Sequence, residues 1–267
     1  MAVRHLQEVT TKSINDYLVA KRARDATSPT TILRIREVLH ALFEWATKQG
    51  YAKSNPASAV PRPKIPDRDI RFLTLDAIDD ALDAVKDDPI EGVIATAIYG
   101  GLRREEICWL TWEDLSLDTS RPLLRVRSKT IAGESWLPKT RKNRTVPISR
   151  DLLPQMKAQQ LRGGASAWVF PSPEGYRWDP DNLSHRLKLV MKRARLVWTF
   201  LDFRHTFGSQ LAQKGVSLFK IAELMGNSPE IARRHYARLV PEQMHEEVLF
   251  PRRRDTGSGS RSVLEFR

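Results

Sequence analysis

Apolar residues recur at helical spacing along most of the chain and switch to strand-like alternation between residues 122 and 148. Thr10–Arg22 is a short amphipathic segment with Ile14, Tyr17 and Leu18 on one face. Ser28 and Pro29 supply an N-cap and a proline at the first helical position. From there Ile32, Ile35, Val38, Leu39, Leu42, Phe43 and Ala46 keep helical spacing until Gly50 stops the run. Residues 53–71 carry four prolines and no apolar period, the composition of an extended linker at a domain boundary. Thr74 then caps a helix. Pro89 opens another, PIEGVIATAIYG, which is apolar nearly all round and so belongs in a core. After Gly100 and Gly101 a turn puts Arg103 at the mouth of a new helix. Glu106 lies one turn along, and Ile107, Leu110 and Trp112 point inward.

The alternating segments LLRVR, SWLPK and RTVPI predict a small antiparallel sheet, with Lys139 at a strand end or turn in a strongly basic stretch. Helical patterns return over 149–162 and 181–196, with a short strand and turn at WVFPSPEG between them. Trp136, Trp168, Trp178 and Trp198 are read as core or hairpin packing. Three helices follow, around Arg204–Lys214, Ser217–Met225 and Pro229–Leu239. An amphipathic piece, PEQMHEEVLF, and a polar Gly/Ser-rich tail close the chain. The expected class is mainly α with a small antiparallel β-sheet (α+β). The expected division is a helical domain over 1–64, a linker over 65–71, a second domain over 72–250 and a disordered tail over 251–267.

Charge changes this picture. The net charge is +12 in 267 residues, which favours a polyanionic partner. Over residues 1–64 Lys and Arg outnumber Asp and Glu by 11 to 5, with Lys21, Arg22 and Arg24 clustered, a pattern that fits a small helical bundle with basic faces or a helical clamp on a DNA backbone. The single cysteine, Cys108, rules out an intramolecular disulfide and fits a reducing compartment. No apolar run is long enough to span a bilayer, the N-terminus lacks a secretory h-region, and the six histidines lack metal-ligand spacing. A cytoplasmic protein working on DNA without a metal is the expectation.

Candidate chemistry lies in four places: GLRREEICWLTWEDL, PKTRKNRTVPI, LDFRHTFGS and LMGNSPEIARRHY. Each alone has a plain structural reading. Arg103 and Glu106 form a helix pair worth a few tenths of a kcal/mol, Arg204 pairs with Asp202, Lys139 is solvated, and Tyr236 packs. In this order and spacing, however, the four resemble the boxes of the tyrosine recombinase (phage integrase) family over about residues 5–250. The resemblance implies a helical core-binding domain followed by a catalytic domain. It puts Arg103 and Arg204 at the two catalytic arginines, Glu106 at the supporting acid, Lys139 at the hairpin lysine and Tyr236 at the nucleophile. Asn227 stands where the family usually has His or Trp, and Leu201 stands where it usually has His. His205, next to Arg204 but about 100° round the helix, is read as a poor substitute for that missing histidine.

What the resemblance implies is site-specific cleavage and rejoining of double-stranded DNA through a 3′-phosphotyrosine, with no cofactor, ATP or metal. It further implies a homo-tetramer on DNA that is a monomer or weak oligomer when free, in a bacterial or phage-encoded, nucleoid-associated protein. Arg141, Lys142 and Arg144 are taken as DNA contacts beside Lys21, Arg22 and Arg24. PEQMHEEVLF is expected to pack on a neighbouring protomer. The chain is expected to start at the helical domain, without the arm-binding domain some integrases carry. The alternatives are a catalytically weak or inactive DNA-binding regulator on the same fold, motivated by Leu201 and Asn227, and a DNA-relaxing topoisomerase.

Overall fold

The computed structural model of the chain describes residues 5–66, 69–162 and 166–241. They form two compact units that part between residues 68 and 69. The segment 242–250 and the tail lie outside the described residues.

In the first unit, α1 (Thr11–Arg24) starts at a capping box formed by Thr10 and Ser13, and α2 (Pro29–Lys48) starts at the Ser28 cap. Ile14, Leu18, Ile32, Phe43, Ala57 and Val60 make its core. Arg36 takes an inward position on α2 and is buried. Its Nε donates to the Val60 carbonyl at 2.8 Å and its Nη2 to that of Ala57 at 3.3 Å, pinning residues 57–60 to the helix. Part of the proline-rich stretch read as linker is therefore core. Tyr17, Val38 and Leu42 are exposed, against expectation. Two helices and one folded-back segment cover only the stripe through Ile32, Arg36, Leu39 and Phe43, and Val38 and Leu42 lie on its flank.

The second unit is built around α4 (Glu91–Gly100), in which all but Glu91 and Tyr99 are buried. It packs against α6 (Leu152–Arg162) and α8 (Phe200–Gln213), with α3 (Leu75–Ala84) also in contact. A short α5 (Arg104–Cys108) leads from α4 towards the strands, and α7 (Pro180–Arg193) packs on α3 and α5. After α8 come α9 (Leu218–Met225) and α10 (Pro229–Tyr236), which pack on each other and on α8. Trp136 and Trp178 are buried, and Trp136 stacks on Trp109 with ring centres 5.8 Å apart, so the tryptophans serve packing as expected.

The strands form two sheets rather than one. β1 (Leu115–Ser116), β2 (Leu123–Val126) and β5 (Arg144–Pro147) are antiparallel, with Leu124 opposite Val146. β3 (Lys129–Ile131) and β4 (Glu134–Trp136) make a separate hairpin. The buried carboxylate of Asp114 explains the break. It accepts from Arg127 Nε at 2.8 Å and from the Lys129 ammonium, and so holds both residues that flank Ser128. Among the described residues no helix is long and apolar enough to cross a membrane.

Candidate active site

A cleft of about 1370 Å³ in the second unit is lined by α7, α8, α10 and the turn after β4. Arg103, Lys139, Leu201, Arg204, His205, Asn227 and Tyr236 all contribute to its wall.

Arg103 is the N-cap of α5. Gly101 just before it sits at φ 63°, where a Cβ would also lie 2.3 Å from the Phe207 ring, so glycine is required on both counts. The Arg103 N–H donates to Glu106 Oε2 at 2.7 Å and its Nη1 to Glu106 Oε1 at 2.9 Å. Its Nη2 donates to the Gly226 carbonyl at 2.6 Å and to Asn227 Oδ1 at 2.8 Å. Arg204, buried in α8, donates to the carbonyls of Gly101 and Met225 and, at 3.0 Å, to the same Asn227 Oδ1. Burial, and then repulsion from Arg103, pull the Arg204 guanidinium down to about 9. Asp202, the partner suggested for Arg204, instead receives Arg71 at 2.6 and 3.0 Å and caps α8 through Thr199.

Asn227 reaches this point because Gly226 ends α9 in the left-handed region at φ 61°. Guanidinium groups only donate, so the atom between the two arginines must be the amide oxygen. The amide N–H groups then remain to donate to an anion on the cleft side.

Glu106 lies at the centre of three cations. Arg144 donates to its two oxygens at 2.8 and 2.6 Å, Arg103 at 2.9 Å, and Arg204 Nη1 stands 3.9 Å away. Burial alone would raise its pKa, but the Arg144 bonds and charge lead a set of interactions that hold it below the usual carboxylate value. This corrects the reading of Arg144 as a DNA contact. Its side chain is 5% exposed and its Nε is committed to the Leu224 carbonyl. Arg141 and Lys142, by contrast, are exposed. Lys139 is exposed in the turn at the cleft edge, and Leu201, 61% exposed, lines the cleft from α8.

Tyr236 ends α10 with no exposed surface. Its ring lies over Gly208, where a Cβ would be 2.4 Å from Cζ. Burial raises the phenol to about 12 despite the opposing charge of Arg204. Its hydroxyl meets His205 Nδ1 at 3.0 Å. His205, about 100° round the helix from Arg204, lies one turn from Leu201 on the same face of α8. Burial first, then the neighbouring His235, pull His205 down to about 4, so it is neutral at pH 7. His235, whose ring centre lies 5.2 Å from that of His205, was not anticipated. Nor were Lys188, Lys192 and Arg195 on the cleft wall, although their i, i+4, i+7 spacing along a helical pattern was legible.

Residues 71–243 match the sequence model of the phage integrase family. The chain belongs to that family. Among curated relatives of the chain, "Tyrosine recombinase XerC-like" of Caldanaerobacter subterraneus subsp. tengcongensis is 27% identical. That alignment takes in 83% of this chain and 65% of the relative, so the chain spans about two thirds of the relative's length. The fold is that of the Tn1549 transposon integrase in complex with transposon right end DNA, with TM-score 0.73, 18% identity and 90% and 85% of the two chains covered. It is also similar to a lambda integrase tetramer bound to a Holliday junction, with TM-score 0.64, 20% identity and 84% and 65% covered. Of the two positions read from the sequence as departures, Leu201 has His205 one turn along the same helix and Asn227 has the arginine pair.

Proposed function

We propose that the protein is a site-specific recombinase that cleaves and rejoins double-stranded DNA through a 3′-phosphotyrosine bond. The observation that carries the reading is the shared Asn227 acceptor, which draws the Arg103 and Arg204 guanidiniums onto one point in the cleft that Tyr236 also lines. Two guanidiniums and an amide at that point suit the charge that grows on the non-bridging oxygens of a phosphodiester under attack. Tyr236 is the nucleophile, and Lys139 at the cleft edge protonates the departing 5′-oxygen. The covalent link stores the bond energy, and a 5′-hydroxyl from a partner strand reverses the step. Because the phenol is covered in the free protein, a phosphate reaches it only after α10 or the His205 ring shifts.

Lys21, Arg22 and Arg24 in the last turn of α1 give the helical unit a basic edge for backbone phosphates, although Asp25 pairs with two of them. A homo-tetramer on paired sites is the working form, since the similar lambda integrase was solved as a tetramer on a Holliday junction. Residues 1–64 act as the clamp and residues 72–250 as the catalytic domain, in the cytoplasm at the nucleoid.

The test begins by selecting a duplex from a random library through binding, then nicking it as a suicide substrate. A covalent protein–DNA adduct that disappears in Tyr236→Phe is expected. Tight binding of the selected duplex without any adduct would leave a DNA-binding regulator in place of the enzyme.

A further inference from the structure

The phenol of Tyr236 has one hydrogen-bond partner among the described residues, and it is an imidazole nitrogen. The contact is built rather than incidental. α8 presents Leu201, Arg204, His205 and Gly208 along one face at i, i+3, i+4 and i+7, and each position contributes differently. Gly208 lets the Tyr236 ring lie flush against the helix, with Met225 beside it. Arg204 turns to the shared acceptor. His205 meets the hydroxyl, and His235 from α10 completes a triangle of rings with them, its centre 5.2 Å from that of His205 and 6.0 Å from that of Tyr236. Leu201, one turn before His205, has no group that can take a proton.

We infer that His205 is a catalytic residue, the base that takes the proton of the Tyr236 hydroxyl as the tyrosine attacks DNA. The inference rests on the reading of Tyr236 as nucleophile. In the step, the Tyr236 O–H bond breaks and its proton goes to Nδ1 of His205. The phenolic oxygen bonds to phosphorus, the P–O5′ bond breaks with its electron pair on O5′, and O5′ takes a proton from Lys139. Rejoining runs the same transfers backwards, with the imidazolium returning its proton to the phenol.

The neutral imidazole needs Nδ1 as acceptor, which puts its remaining hydrogen on Nε2. The groups facing it are His235 and Tyr236 from α10 and Arg204 and Asp202 on its own helix. In the free protein these surroundings keep the imidazole unprotonated and the phenol protonated. A bound phosphodiester brings an anion beside the imidazole, which favours its charged form, while bond formation to phosphorus acidifies the phenol. Transfer therefore accompanies attack rather than preceding it.

The experiment measures single-turnover adduct formation on the selected suicide substrate with the full chain. His205→Ala is expected to slow the reaction by about 10²–10³-fold, the range of a lost general base. His205→Asn keeps an acceptor of similar reach but no titratable nitrogen, and it is expected to stay slow while melting like the parent. Replacing Tyr236 with difluorotyrosine, whose phenol gives up its proton more readily, is expected to restore at least about tenfold in His205→Ala while changing the parent little. A 5′-bridging phosphorothiolate, whose leaving group needs no acid, is expected to rescue Lys139→Ala and not His205→Ala. Parent-like rates in both His205 variants would overturn the inference, as would a loss that difluorotyrosine does not relieve. An adduct that persists in Tyr236→Phe would instead overturn the reading of the nucleophile itself.

Discussion

Arg144 and Glu106 face each other across the second unit with two parallel hydrogen bonds of 2.8 and 2.6 Å, and neither side chain has more than 5% of its surface exposed. A strand of the sheet is thereby tied to the helix that begins at Arg103, and the carboxylate that orients Arg103 is held from both sides. Removing one member of a buried pair leaves the other charge uncompensated. Arg144→Ala is expected to cost roughly 2–4 kcal/mol in urea unfolding, somewhat reduced because Arg103 stays on Glu106. Removing a direct phosphate contact would lower the salt dependence of DNA binding by about one unit of slope. Arg144→Ala is expected to leave that slope unchanged, whereas Arg141→Ala or Lys142→Ala lowers it.

Gly208 offers a sharper test of where the phenol sits. In a helix interior, glycine to alanine ordinarily gains about 1 kcal/mol. Here the new Cβ would meet Tyr236 Cζ at 2.4 Å and Met225 Sδ at 2.8 Å. Gly208→Ala is expected to lose roughly 1–3 kcal/mol by thermal melting, through overpacking. Displacing the phenol by about 1 Å is expected to slow adduct formation by about 100-fold. A stabilised, fully active variant would contradict the packing of Tyr236 on α8.

Asn227 is predicted to matter through its oxygen and its N–H groups in opposite senses. Asn227→Ala leaves two guanidiniums without their shared acceptor but keeps them cationic, and a loss of about tenfold in adduct rate is expected. Asn227→Asp puts a carboxylate between the arginines, where it competes with the DNA phosphate and repels it. That variant is expected to lose about 10²–10³-fold. Single-turnover rates that ranked the two the other way would mean that the arginines meet the phosphate elsewhere.

Acid should destabilise the second unit in two stages. His205 titrates at 6.5 when unfolded and at about 4 when folded, so the unfolded chain binds the extra proton first. The stability tied to its neutral form is present above 6.5 and is lost as pH falls towards 4. Glu106 and Asp202 are also held below their ordinary values, by Arg144 and by Arg71, and their contribution is lost at lower pH still. Melting temperature measured from pH 8 down to about 2.5 is expected to fall in both stages for the parent. In His205→Asn the decline between 6.5 and about 4.5 should shrink, and the later one should remain.

How much of this was legible beforehand differs from element to element. The helices, the apolar α4 and the strand segments that become β2 and β5 follow from local period and caps, because each is decided within a few residues. The order and spacing of Arg103, Lys139, Arg204, Asn227 and Tyr236 carried the family and with it the fold, as the match over residues 71–243 bears out. Local pattern could not decide between equivalent faces and equivalent charges. Arg144 reads like Arg141 and Lys142 in a basic run, and only the approach of Glu106 and the Leu224 carbonyl from distant parts of the chain commits it to the interior. Asp114 splits one expected sheet into two by the same kind of long reach. His205 looked misplaced beside Arg204 because helix geometry gives its direction but not its neighbour. That neighbour, Tyr236, is supplied by α10 from thirty-one residues away, and desolvation between the two helices then sets the protonation of both.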